Sequence, residues 1–240
     1  MKIIKLLLAS CLIINVSSCN KEHVGLVIGR GSSTSTTLDK TDFSGIDLAI
    51  PANVTYTQDS VYSVVISAQS NIQKVIEFKN EGSVLNITSR KGIIRHNPIN
   101  ITIHSPSINS LAVSGSGKIE VQGQIITNAL DLDVSGSGKI TLPFLKTQSI
   151  KTSVSGSGNI TVSGGTADIE YLTSSGSGNT KLEDLESKQS DAQASGSGNI
   201  SLWCTQKLNA RLSGSGKISY RGSPEVNSHT SGSGKIVRLD

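Results

Sequence analysis

Apolar and polar residues alternate along most of this chain. Ile99-Asn100-Ile101-Thr102-Ile103, Ile119-Glu120-Val121 and Leu130-Asp131-Leu132-Asp133-Val134 are examples. A period of two marks strands with one face buried and one in water. The alternation is interrupted at regular intervals by Ser-Gly-Ser-Gly followed by Lys or Asn. Copies begin at Ser114, Ser135, Ser155, Ser175, Ser195, Ser213 and Ser231, with spacings of 21, 20, 20, 20, 18 and 18 residues. Each is preceded by an apolar or small residue and followed by Lys/Asn and, in all copies but one, Ile.

A unit of about 20 residues cannot close its own core, so its apolar face must be covered by the next unit. The pattern predicts an all-β parallel β-helix, or solenoid, with one repeat per coil. Ile119, Ile140, Ile160, Ile200, Ile218 and Ile236 then form one interior column, with Thr180 as its exception. A leucine-rich horseshoe has the same repeat length, but its recurring Leu/Asn positions and helical period are missing. Residues 41–110 carry strand-like runs without the motif and are read as irregular N-terminal coils plus a cap; residues 111–240 form the regular repeat.

The first 40 residues have a different character. Lys2 and Lys5 precede an apolar stretch from Leu6 to Val16, and Val16-Ser17-Ser18-Cys19 resembles a lipobox. Residues 1–18 therefore read as a lipoprotein signal peptide, with Cys19 as the lipidated residue that anchors the protein to the membrane. Asn20, rather than Asp, follows it, which favours the outer membrane, either surface-exposed or facing the periplasm. Residues 19–40, rich in Gly, Ser and Thr, read as a flexible tether.

Composition supports this picture. Hydrophobic residues are 35% and aromatics 3% of the chain, too few for a helical bundle. The net charge of +4 includes Lys2 and Lys5, and the remaining basic residues are scattered, so no nucleic-acid partner is expected. With Cys11 in the leader and Cys19 lipidated, Cys204 stands alone and reads as a small buried hydrophobe.

The chain resembles the bacterial family of putative autotransporter adhesins with a head GIN domain, which is common in Bacteroidetes lipoproteins. The resemblance rests on Phe43-Ser-Gly-Ile46-Asp-Leu48, Val54-Thr-Tyr-Thr-Gln58, Ile101-Thr-Ile103, Leu111-Ala-Val113-Ser-Gly-Ser-Gly117 and the repeats that follow. It implies a single-stranded right-handed β-helix and, from the family's name, adhesion. It brings no catalytic residues with it.

The residues themselves offer little chemistry. The glycine turns lack the Asp ligands of a calcium β-roll, and His23, His96, His104 and His229 have no metal-ligand spacing. No metal or cofactor is expected. Asp131, Asp133, Asp168 and Glu170 read as a solvated face. Lined up on neighbouring coils they would instead give the paired carboxylates of a polysaccharide-acting enzyme, which is the third reading of function. Glu183, Asp184, Glu186 and Asp191 read as a solvated acidic loop.

The column after the motif, Lys118, Lys139, Asn159, Asn179, Asn199, Lys217 and Lys235, is placed outward. It reads either as structural stacking, with the three Asn hydrogen-bonded along the column, or as a flat polar strip that binds carbohydrate or an envelope protein. The leading expectation is a non-enzymatic envelope lipoprotein presenting this face for adhesion. The alternative is a periplasm-facing structural or assembly module forming a homo-oligomer through its C-terminal coil.

Overall fold

Every Ser-Gly-Ser-Gly copy lies directly on the previous one in the computed structural model, which describes residues 25–239. Ser114, Ser135, Ser155, Ser175, Ser195, Ser213 and Ser231 are consecutive partners in parallel register. The chain is an all-β parallel solenoid with coils of about 20 residues. The predicted interior column is present: Ile119, Ile140, Ile160, Thr180, Ile200 and Ile218 are each no more than 1% exposed, and Ile236 packs against them partly buried. Stacked identical β-branched side chains suit this interior, because each covers the one below at the strand spacing of about 4.8 Å.

The N-terminal part is also a capped set of coils, but its coils are not stacked in chain order. Its strands are β1 (Leu26–Ile28), β2 (Ser33–Leu38), β3 (Gly45–Leu48), β4 (Asn53–Gln58) and β5 (Ser63–Gln69). The one-turn helix α1 (Ser70–Gln73) is followed by β6 (Ile76–Glu81), β7 (Val84–Ser89), β8 (Gly92–Ile94), β9 (Asn100–Ser105), β10 (Ser110–Gly115) and β11 (Lys118–Gln122). The later coil, β7 with β9, lies outermost, and the earlier coil, β3 with β4, is sandwiched between it and β10 with β11. The cap is built by β2, which precedes these coils in the chain, and by β5, α1 and β6, which lie between them in sequence. There β5 runs antiparallel to β9, β2 antiparallel to β5, and β6 antiparallel to β7. Antiparallel pairing occupies the end of the stack, which would otherwise leave unpaired backbone groups to recruit other chains. Val64, Ile66, Ala68 and Ile72 close the core there, each no more than 2% exposed.

The tether reading fails between Leu26 and Leu38. Leu26–Ile28 pairs in parallel with β8, and Ser33–Leu38 forms the outer strand of the cap. The amide of Asn71 donates to the carbonyl of Ile28, and that of Gln73 to the carbonyl of Thr34. Ser33–Leu38 has too little hydrophobic pattern to announce a strand and Leu26–Ile28 is an apolar run of only three residues, and backbone pairing orders both. The signal peptide over residues 1–18 and Cys19 lie outside the described residues. Among the described residues no helix is long and apolar enough to cross a membrane.

The change of spacing from 20 to 18 residues has a local cause. Leu182 pairs with Leu202 and Glu186 with Trp203, so residues 183–185 have no counterpart on the next coil; Glu183 and Asp184 bulge there while Leu185 stays in the core. One residue is regained between Cys204 and Lys207, where two residues face only Lys188. Arg221 closes the bulge with Nη1 on the Asp184 carboxylate at 3.1 Å and on the Glu183 carbonyl. The acidic loop read here is therefore a bulge bonded by Arg221, and Asp191 is separated from it, paired with Tyr171 and Asn209.

Candidate functional site

The residue after each motif points outward, and the column is longer than its sequence signature. Lys118, Lys139, Asn159, Asn179, Asn199, Lys217 and Lys235 are in continuous register. Two more residues extend it, since Asn53 pairs with Lys118 and Asn100 with Asn53. Sequence reasoning missed both, because their coils lack the motif and are stacked out of chain order. The detectable signal was the shared Asn-apolar-Thr pattern of Asn53-Val54-Thr55, Asn100-Ile101-Thr102 and Asn159-Ile160-Thr161.

The column is a ladder in its middle. The Asn179 amide donates to Asn159 Oδ1 and the Asn199 amide to Asn179 Oδ1, both at 2.9 Å. Asn53 donates to Asn100 Oδ1 at 3.1 Å in the same way. The four lysines lie in exposed positions at the two ends of the regular repeat. None takes part in the five ion pairs found among the described residues. Beside this column run the two serines of every motif, also exposed. The result is a flat wall of hydroxyl, amide and ammonium groups repeated at about 4.8 Å. Asn179 makes two ladder bonds and Asn199 makes one. Asn179→Ala should therefore cost about 1 kcal/mol and Asn199→Ala roughly half that, measured as shifts in the denaturation midpoint.

The four acidic residues Asp131, Asp133, Asp168 and Glu170 are not brought together. Asp131 and Asp133 sit on one coil, in register with Lys151 and Ser153. Asp168 is at a corner, where it pairs with Lys188 at 2.7 Å. Glu170 is not on a solvated face at all. It is 0% exposed and occupies an interior column with Leu130, Ile150, Ser190 and Leu208. Ser190 Oγ donates to Glu170 Oε2 at 2.8 Å, and Ser187 Oγ is 2.8 Å from Ser190 Oγ. Glu170 Oε1 has no partner. Burial pushes the carboxyl up to about 8, against the smaller opposing effect of the serine hydroxyls. Cys204 is fully buried, as expected, with Sγ near the carbonyls of Lys207 and Lys188.

A groove of about 730 Å³ runs along the corner that contains Asp168, a volume in the usual range for small-molecule sites. One wall is the registered column Ile126, Lys146, Thr166 and Glu186. The other carries Asn128, Gln148, Asp168 and Lys188, and Thr147, Ala167 and Ser187 form the floor. No motif marks these positions, and only their register shows that they share a surface.

The family model described as putative auto-transporter adhesin, head GIN domain, matches residues 42–224. A crystal structure of a putative adhesin from Bacteroides fragilis NCTC 9343 is 25% identical, covers 89% of this chain and 100% of its own, and superposes with a TM-score of 0.82. A putative lipid binding protein from Parabacteroides distasonis ATCC 8503 is 24% identical over 90% of this chain and 100% of its own, with a TM-score of 0.75. A putative adhesin from Parabacteroides merdae ATCC 43184 is 20% identical over the same shares, also at 0.75. The last two likenesses show the fold. Comparison with curated proteins gives no match.

Proposed function

We propose, because the chain belongs to the putative auto-transporter adhesin, head GIN domain family, that it is an envelope protein whose solenoid wall binds glycan or protein. On this reading residues 1–18 are removed, Cys19 carries the lipid, and the outer membrane holds the anchor. The observation that supports binding is the outward wall itself. It is an unbroken register of Lys118 to Lys235 flanked by serine rows, with the lysines free of acidic partners among the described residues. A scaffold with no function in contact would gain nothing from stacked like charges, which repel where Lys118 lies beside Lys139 and Lys217 beside Lys235. Binding rather than catalysis is also favoured by the carboxylates, which point to different faces or into the core.

Protease shaving of intact cells tests the placement. We expect the protein to be cleaved on unbroken cells. Protection until the outer membrane is opened would overturn the adhesive reading in favour of the periplasmic module. The strand Glu225–Ser231 supports that second reading: it is exposed along its whole length, and among the described residues it pairs on one edge only. Such an edge is a surface for self-association.

A further inference from the structure

The corner groove is separate from the Lys/Asn wall, and its chemistry differs. Two of its residues are basic, Lys146 and Lys188, and two are acidic, Asp168 and Glu186, so the groove carries no net charge. Asn128 and Gln148 add amides that both donate and accept. Beneath the walls Thr147, Ala167 and Ser187 are buried, and the two hydroxyls are bonded within the protein. At the N-terminal end Ile126 is 53% exposed, and Phe144, on the next coil, is 41% exposed.

We propose that this groove binds a neutral oligosaccharide. Three coil steps separate Ile126 from Glu186, a length on the order of 15 Å, enough for a short run of sugar units. A polyanion would find its attraction to the two lysines cancelled by Asp168 and Glu186. An acyl chain would strip water from the Gln148 amide and the Asp168–Lys188 pair without replacing those hydrogen bonds. An uncharged polyol uses donors and acceptors of both walls at once. Ile126 and Phe144 give the apolar face of a sugar ring a surface to lie on.

The inference rests on the glycan-binding function proposed above and moves the sugar from the Lys/Asn wall to the corner groove. It is tested by calorimetric titration of the purified full-length protein with chitotriose, cellotriose and mannotriose, and with trigalacturonate and a short-chain phosphatidylcholine in parallel. At least one neutral trisaccharide is expected to bind. Gln148→Ala with Lys188→Ala, both at exposed positions, should weaken it at least tenfold, and Thr166→Arg, which projects a long side chain from the exposed wall across the groove, should abolish it. Lys79→Ala, in the N-terminal cap, should leave it unchanged, and Lys118→Ala with Lys139→Ala probes the wall in place of the groove. If the neutral sugar binds but is lost only in the Lys118/Lys139 variant, the groove assignment is overturned while the binding function stands. Binding of trigalacturonate or phosphatidylcholine alone, or of none of the five, also overturns it, and cell shaving then decides the function independently. Thermal melting of each variant separates lost binding from lost folding.

Discussion

Gly176→Ala is expected to destabilise the solenoid by roughly 3–5 kcal/mol, through backbone strain together with overpacking. Gly176 has φ +119, a conformation that L side chains rarely adopt, and a Cβ there would sit 2.5 Å from the carbonyl oxygen of Gly156 on the coil below. That oxygen cannot give way cheaply. It already accepts from the backbone N–H of Ser177 at 2.8 Å and of Gly178 at 2.9 Å. The added methyl must therefore pry two coils apart where the motif joins them. Gly115→Ala gives the internal comparison: it has φ +129 but nothing within 4 Å, so it should show the strain alone, roughly 1–3 kcal/mol. Ser175→Ala, on the exposed row, should change stability by less than about 0.5 kcal/mol. Denaturant midpoints for the three variants measure this directly. A Gly176→Ala protein within 1 kcal/mol of the parent would mean that the glycines do not hold the coils in close contact.

The same contacts explain why the repeat was legible. A glycine that must touch the glycine below it, a lysine or asparagine that must face water and an isoleucine that must face the core recur at one period, so the register could be read by counting. The N-terminal coils were legible as strands but not in their order. β3 and β4 come first in the chain and second in the stack, and no local pattern records that the chain leaves for the cap and returns beneath. That is why Asn53 and Asn100 were missing from the polar column. Glu170 was misplaced for another reason. Strict alternation from Ala167 would turn Ile169 inward and Glu170 outward. The corner instead places two successive residues outward, Asp168 and Ile169, as it does Gln148 and Ser149 one coil earlier, and this reverses the phase. Comparing position 170 with Ile150 and Leu208 in the neighbouring repeats would have shown it.

The buried position of Glu170 predicts an unusual pH dependence. Its carboxyl titrates near 4.5 when the chain is unfolded and about 8 when folded. The folded state therefore keeps a proton that the unfolded state gives up. The stability this group contributes is fully present below about pH 4.5, falls by about 1.4 kcal/mol per unit as pH rises, and has been lost above about pH 8. At pH 7 the loss is roughly 3 kcal/mol. Glu170→Gln removes the ionisation while keeping an oxygen that can accept from Ser190. The extra buried amide hydrogen should put it about 2 kcal/mol below the parent near pH 4.5, and it should cross the parent near about pH 6 and exceed it by about 2 kcal/mol at pH 8. Glu170→Leu, which restores the apolar column of Ile150 and Leu208, should stabilise at least as much, because Ser190 keeps its contact with Ser187. Melting temperatures of the parent and both variants from pH 5 to pH 9 provide the measurement. A parent protein whose stability is flat over that range, or a Gln variant with the same slope as the parent, would place Glu170 in contact with water and remove the buried carboxyl from the core.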